Sequence, residues 1–198
     1  MNIEQFAYSL LRFNFHYQNL NQEMLRLGEF LAAHRVQANS MVDIGCGDGA
    51  ITARLQRLLH TNIAYGIDVN GALLARANRR GIITWQGDAV SMEMRKKFDI
   101  VISYGSLHHF ENISSLINAM KRMAIQYLLI VDNTIRRNFW FHQLTGSPHS
   151  LVESSPYGIH TVHEVTDALQ RCDCRVKGVF TSLNANIWHD RSFFLAEV

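Results

Sequence analysis

The chain has little that would tie it together covalently or hold it in a membrane. Its three cysteines, Cys46, Cys172 and Cys174, do not make a disulfide framework. Cys172-Asp173-Cys174 has no second ligand pair at zinc spacing, so no metal site is expected. No apolar run reaches the roughly 18 residues of a membrane-spanning helix. The opening stretch MNIEQFAYSLLRF carries Glu4 early and no basic segment before its apolar residues, which is not a secretory pattern. A cytoplasmic monomer or small oligomer is the expectation. Net charge is scarce too: 19 Lys+Arg against 17 Asp+Glu leave +2, too little for an electrostatic nucleic-acid binder. The two prolines, Pro148 and Pro156, both fall in GSPHSLVESSPYG, the longest irregular stretch of the chain.

What is present suits one soluble domain. A chain of 198 residues, 47% hydrophobic and 18% charged, can bury a sizeable core. Ile3, Phe6, Leu10 and Phe13, then Leu20, Met24, Leu27 and Leu31, follow helical spacing. From residue 40 the period changes. Strands are expected at 40–45, 62–69, 82–87, 98–104 and 127–133. Helices alternate with them: one with Ile51, Leu55, Leu58 and Leu59 on a single face, others at 71–80 and about 112–123, and a short one possible at 89–97. Thr161 and Glu164 have capping-box spacing for a further helix. Strands at about 175–182 and 187–197, joined through a short NAN connection, suggest an antiparallel addition. The fold class that follows is α/β: an open, doubly wound, mostly parallel sheet of about seven strands with an antiparallel C-terminal strand. Four regions result: a helical cap at 1–38, a nucleotide-binding core at 39–133, a lid at 134–160, and a closing helix and strand pair at 161–198.

The chemistry concentrates in MVDIGCGDGA, residues 41–50. Gly45, Gly47 and Gly49 follow the first strand, where open parallel sheets bind ligands. With Ala50 they also satisfy the dinucleotide template G-x-G-x-x-G/A, a weak signal by itself. Asp43 and Asp48 argue against a pyrophosphate. A carboxylate about 4 Å from a phosphate charge costs roughly 4 kcal/mol at an effective dielectric near 20. Two acids suit a nucleotide bearing positive charge, such as a sulfonium and an ammonium. Asp68, at the end of the second strand, can accept hydrogen bonds from ribose hydroxyls, although nicotinamide sites use the same device. Asp88, at the end of the third, could accept an adenine amino group.

VDIGCGDG, GIDVN, GDA and FDIVISYGSLHHF, in that order and spacing, resemble the motifs of the class I S-adenosylmethionine-dependent methyltransferases, in particular the small type 11 group. The resemblance covers roughly residues 20–135. It implies a Rossmann-like fold and S-adenosylmethionine as cofactor, with S-adenosylhomocysteine as product. It also implies that the Gly45–Cys46–Gly47–Gly49 backbone wraps the methionyl portion, with Asp43 organising that loop. By the same resemblance Asp68 binds ribose, Val69 packs near adenine, Asp88 and Ala89 contact the adenine edge, and Ser103 and Tyr104 line the methyl-donor end. The helices before residue 38 resemble the family's variable N-terminal cap.

His108 and His109 follow strand four and are the candidate bases for an oxygen or nitrogen acceptor, His109 first because that position faces the cleft in similar enzymes. Arg136, Trp140, His142 and Tyr157, in the expected lid, are candidate acceptor-binding residues, with Arg136 and Arg137 suited to an anionic group. The Asn/Asp-Pro-Pro-aromatic motif of enzymes that methylate amino groups on bases or glutamine is absent, and Ser103-Tyr104-Gly105-Ser106 stands in its place. A small-molecule acceptor is therefore the leading expectation. The alternatives are an RNA methyltransferase, a nicotinamide-dependent reductase (for which no Tyr-x-x-x-Lys pair is found) and a noncatalytic protein that keeps the fold.

Overall fold

The computed structural model describes residues 20–135, 159–182 and 189–198. The helix expected at 3–13, the bulk of the lid and the NAN connection lie outside them. Residues up to Val36 and from Gln37 onward group as two compact units. In the first, residues 20–33 form helix α1, with Leu27, Phe30 and Leu31 buried. It ends where Arg35 turns to a positive φ of 53°.

In the second unit, apolar runs become strands and amphipathic runs become helices. Strands β1 (Ser40–Ile44), β2 (Ile63–Asp68), β3 (Ile83–Gln86), β4 (Phe98–Tyr104), β5 (Ala124–Ile135), β6 (Arg175–Ser182) and β7 (His189–Glu197) form one sheet in the order 3-2-1-4-5-7-6. β1 to β5 are parallel, and β7 runs antiparallel to both β5 and β6. The last strand in sequence thus inserts between β5 and β6. Its core segment explains the position: Phe193, Phe194, Leu195 and Ala196 are all fully buried, as a strand covered on both faces requires.

Helices α2 (Ala50–Leu59), α3 (Gly71–Arg79), α4 (Ile113–Met123) and α5 (Val162–Arg171) carry the connections. α4 buries Leu116, Ile117, Met120 and Met123, and α5 buries Val165, Ala168 and Leu169. These join Val42, Ile44, Val101, Leu128, Ile130 and Phe194 in one core. Three of the starts are capped by side chains. Asn70 Oδ1 accepts from Ala72 N at 3.1 Å, and Asn112 Oδ1 from Ser115 N at 3.1 Å. The Thr161–Glu164 capping box forms as expected.

Two local differences from the sequence expectation have physical causes. Residues 89–97 form turns and irregular chain in place of a helix. The Asp88 carboxylate accepts from Val90 N and Ser91 Oγ at 3.0 and 3.1 Å, closing a side-chain turn that competes with helical pairing. β5 runs longer than 127–133 because β4 on one side and β7 on the other supply partners along it.

The order of β1 and β4 in mid-sheet is the switch point. The connection leaving β1 goes toward one edge and that leaving β4 toward the other, which opens a crevice at their carboxyl ends. The loop after β1 is shaped by its glycines. Gly49 has φ +75°, and a Cβ there would stand 2.8 Å from the Ala77 Cβ of α3. Gly47 has φ +53° with nothing within 4 Å of an added Cβ. Gly49→Ala therefore combines backbone strain with overpacking and should cost about 2–4 kcal/mol, whereas Gly47→Ala should cost only the strain, about 1 kcal/mol. Urea unfolding of the two variants measures the difference.

Candidate active site

A cleft of about 740 Å³ lies at the carboxyl ends of the parallel strands, within the usual range for small-ligand pockets. Ile44 and Gly45 form its floor, Asp68, Val69 and Asn70 one side, and Asp88, Ala89 and Val90 the next. Gly105, Ser106, His109, Phe110 and Glu111 close the far side.

The glycine loop is held by β2. Ile67 O accepts from Gly45 N at 2.8 Å and from Cys46 N at 3.2 Å. Asp68 Oδ2 accepts from Gly47 N at 2.8 Å, while its Oδ1 accepts from Asn70 N at 2.8 Å. Gly49 N donates to Cys46 O at 2.9 Å, and Ala50 N to Asp48 Oδ1 at 3.0 Å. Five amides of the loop are thus already paired within the protein. A dinucleotide loop needs such N–H groups for its pyrophosphate.

The cleft wall is acidic. Asp68, Asp88 and Glu111 supply carboxylates, and no lysine or arginine stands among the described residues lining it. Asp48 plays a different part from the one expected of it. It pairs with Arg80 Nη2 at 2.9 Å, and that hydrogen bond holds its carboxyl below the ordinary value. Its charge is thereby offset at the protein surface.

Asp43 is buried behind the loop. Its Oδ2 accepts from Thr52 Oγ1 at 2.6 Å, and its Oδ1 has no hydrogen-bond partner. Burial pushes its carboxyl from 3.8 up to about 7, with the Thr52 hydrogen bond opposing the rise and the charge of Asp68 adding to it. Cys46 turns its sulfur toward Gly66, where a Cβ would come within 2.5 Å of it. Burial pushes that thiol up, and the charges of Asp43 and Asp68 push it further, so it is an inert neutral packing group.

The paired histidines have separate fates. His108 is buried, and its Nδ1 donates to Asp132 Oδ1 at 2.9 Å. Asp132 also accepts from Leu107 N and Asn133 N, each at 2.7 Å. Burial pushes the Asp132 carboxyl up, but the His108 hydrogen bond, the nearby Arg191 and His108 charges and the Asn133 N–H bring it below its ordinary value. His109 is exposed and lines the cleft, with its ring 4.2 Å from that of His108.

Of the residues named from sequence, Gly45, Asp68, Val69, Asp88, Ala89 and His109 meet at the cleft. Ser103 is buried beneath it and bonded at 2.8 Å to Ser106 Oγ, which in turn donates to Ile44 O. Gly47, Gly49 and Tyr104 flank the cleft in sequence without lining it. Arg136, Trp140, His142 and Tyr157 lie outside the described residues. Sequence reasoning passed over Asn70, Ser106 and Glu111. Asn70 had a legible signal, standing one residue before a helical run with an acceptor side chain.

This crevice, at the switch point of a 3-2-1-4-5-7-6 sheet, defines the class I S-adenosylmethionine-dependent methyltransferase fold, which this chain adopts. Residues 42–126 match the family model described as a methyltransferase domain. An uncharacterized methyltransferase of Mycobacterium tuberculosis is 28% identical over 137 residues, covering 64% of this chain and 64% of that protein. The match therefore spans less than two thirds of the relative's length. A protein named probable tRNA methyltransferase 9B of Homo sapiens is 33% identical over 100 residues, covering 50% of this chain and 21% of that one. Among solved structures, magnesium protoporphyrin IX methyltransferase of Synechocystis, with bound S-adenosylhomocysteine, superposes with a TM-score of 0.67 at 16% identity. It covers 89% of this chain and 82% of that one.

The Asp43 carboxyl yields a stability prediction with a definite sign. Because folding raises its proton affinity, the native state is favoured at low pH. That advantage is lost as pH climbs from about 4 through about 7. The gap between 3.8 and about 7 corresponds to about 4 kcal/mol. Asp43→Asn has no charge to bury. Its stability should gain on the wild type across that window and run parallel above it, as read by urea unfolding at successive pH values.

Proposed function

We propose that the protein is an S-adenosylmethionine-dependent methyltransferase acting on a small-molecule acceptor at oxygen or nitrogen. The observation that carries this reading is the acidic cleft beside a loop whose amides are already used. Such a site suits a cationic nucleotide and is hostile to a pyrophosphate.

The residues present fit that cofactor. Asp68 keeps lone pairs for ribose hydroxyls after accepting Gly47 N and Asn70 N. Val69, 67% exposed at the cleft rim, offers an apolar surface for adenine. Asp88 and Ala89 stand where the adenine edge would be read. The Gly45–Gly49 loop and Tyr104 would flank the methionyl end. Ser106, which lines the cleft, would present there the hydroxyl that was expected of Ser103. When bound, S-adenosylmethionine supplies a methyl carbon already activated by its sulfonium. The protein's part is to align the acceptor and exclude water.

Among the described residues lining the cleft, His109 is the side chain suited to take a proton from an acceptor near neutral pH. The Leu107–His109 turn that carries it is fixed by Asp132 through Leu107 N and His108. His108, buried in that contact, acts as a positioning residue in this reading.

RNA methylation is the second reading, favoured by the match to a protein named as a tRNA methyltransferase. The net charge of +2 and the cleft wall without lysine or arginine among its described residues favour the small molecule. Incubation with carbon-13-methyl S-adenosylmethionine and a cell extract, followed by separation of low-mass metabolites from RNA, tests the choice. New labelled methyl groups should appear in the metabolite fraction with the wild type and not with Asp68→Ala. Label confined to RNA would overturn the small-molecule acceptor. In the same assay His109→Gln should lower turnover about 100-fold or more with cofactor affinity little changed. Unchanged turnover would remove His109 as the base.

A further inference from the structure

Arg191 gives the acceptor a chemical class. It sits on β7 opposite Asn133 of β5, near the carboxyl end of the parallel strands. Side chains alternate along a strand, so Arg191, Asn133 and, through Val131, Tyr104 share one face of the sheet. The contacts agree. Arg191 Nη1 donates to Asn133 Oδ1 at 3.3 Å, and its guanidinium carbon lies 4.8 Å from the centre of the Tyr104 ring. Its Nη2 comes within 3.4 Å of where a Cβ on Gly105 would stand, and Gly105 is part of the cleft wall. The side chain is half-buried.

Acids stand on both sides of the cleft, and the guanidinium stands at one end of it. The nucleotide side of the cleft carries Asp68 and Asp88, and Glu111 stands across from them. Arg191 stands beyond Gly105, at the β4–β5 end. Asp132 lies close enough to feel its charge, but by strand alternation it points to the opposite face, where His108, Leu107 N and Asn133 N share its oxygens. A planar, weakly hydrated guanidinium steadied by an amide oxygen and an aromatic face is suited to a forked grip on an oxyanion.

We propose that Arg191 binds an anionic group, a carboxylate or a phosphate, on the methyl acceptor. The acids on the nucleotide side repel such an acceptor, and Arg191 draws its charged end toward β7, which leaves the uncharged part nearer the methyl donor. This inference rests on the methyltransferase reading and narrows its substrate class.

The test uses the full chain saturated with S-adenosylhomocysteine at constant ionic strength. Benzoate, its neutral counterpart benzamide, and inorganic phosphate are titrated in turn, and the arginine Nε–H signals are followed by nitrogen-15 NMR. The Arg191 signal, assigned by its absence in Arg191→Lys, should saturate with an anion. The tighter of benzoate and phosphate identifies the oxyanion, and benzoate should bind about tenfold or more tighter than benzamide. Arg191→Gln should weaken anion binding about tenfold or more, and Arg191→Lys by less, with S-adenosylhomocysteine affinity unchanged in both. If Arg191→Gln does not fold, the partial loss in Arg191→Lys, read from other cleft signals, decides the matter. Benzamide binding as well as benzoate, no saturation by either anion, or undiminished anion binding in the variants would overturn the proposal. Failure of the wild type to bind S-adenosylhomocysteine would instead sink the methyltransferase reading, and repeating the anion titrations without it keeps the two failures apart.

Discussion

The end of β2 is the constraint on which the site depends. Within two residues, Ile67 and Asp68 accept hydrogen bonds from Gly45, Cys46, Gly47, Asn70 and Gly87. The loop after β1, the start of α3 and the exit of β3 are therefore tied to one point. Two of the five go to the Asp68 carboxylate, which takes a donor on each oxygen and keeps lone pairs in reserve. The loop's amides are spent on β2 and on one another, and Gly45 and Gly49 serve close packing, against Ser106 and Ala77. The sequence template for phosphate binding is present in Gly45, Gly47 and Ala50, but the donors that would make it work are occupied.

Charge placement follows from the same arrangement. Asp68 and Asp88 face the cleft because they stand at and just beyond the carboxyl ends of β2 and β3, where side chains meet solvent. Asp48, three residues after Gly45, turns to Arg80 and leaves the site. Asp43 is buried without a full complement of partners, so it holds a proton up to about pH 7. A cation in the cleft would meet Asp68 and Asp88 first, with Asp43 in reserve behind the loop. On the other side of β4, Asp132 keeps its charge by taking three donors, and in doing so fixes the turn that presents His109.

Much of the fold was legible in sequence because burial on both faces of a parallel sheet writes itself as apolar runs. VISY and LLIV read as strands for that reason, and Thr161 with Glu164 marked a helix start correctly. Long-range choices were not legible. Nothing local tells β7 to insert between β5 and β6, since that choice depends on which edge buries Phe193 to Ala196. The Asp48–Arg80 pair joins residues 32 apart, so the argument from two loop acids did not foresee that one acid is offset and the other buried. His108 and His109 are neighbours of the same chemical type, and only the tertiary position of Asp132 separates a buried histidine from an exposed one. The turn after Asp88 was missed because its side chain competes with the helix that its neighbours would otherwise favour.

The central claim is that this glycine loop and its acids serve a cationic nucleotide and exclude a dinucleotide. Calorimetric titration of the wild type with S-adenosylmethionine, S-adenosylhomocysteine and NADH tests it directly. Saturable one-to-one binding of the first two with no heat from NADH is the predicted result. Saturable binding of NADH, with neither S-adenosyl compound bound, would contradict it.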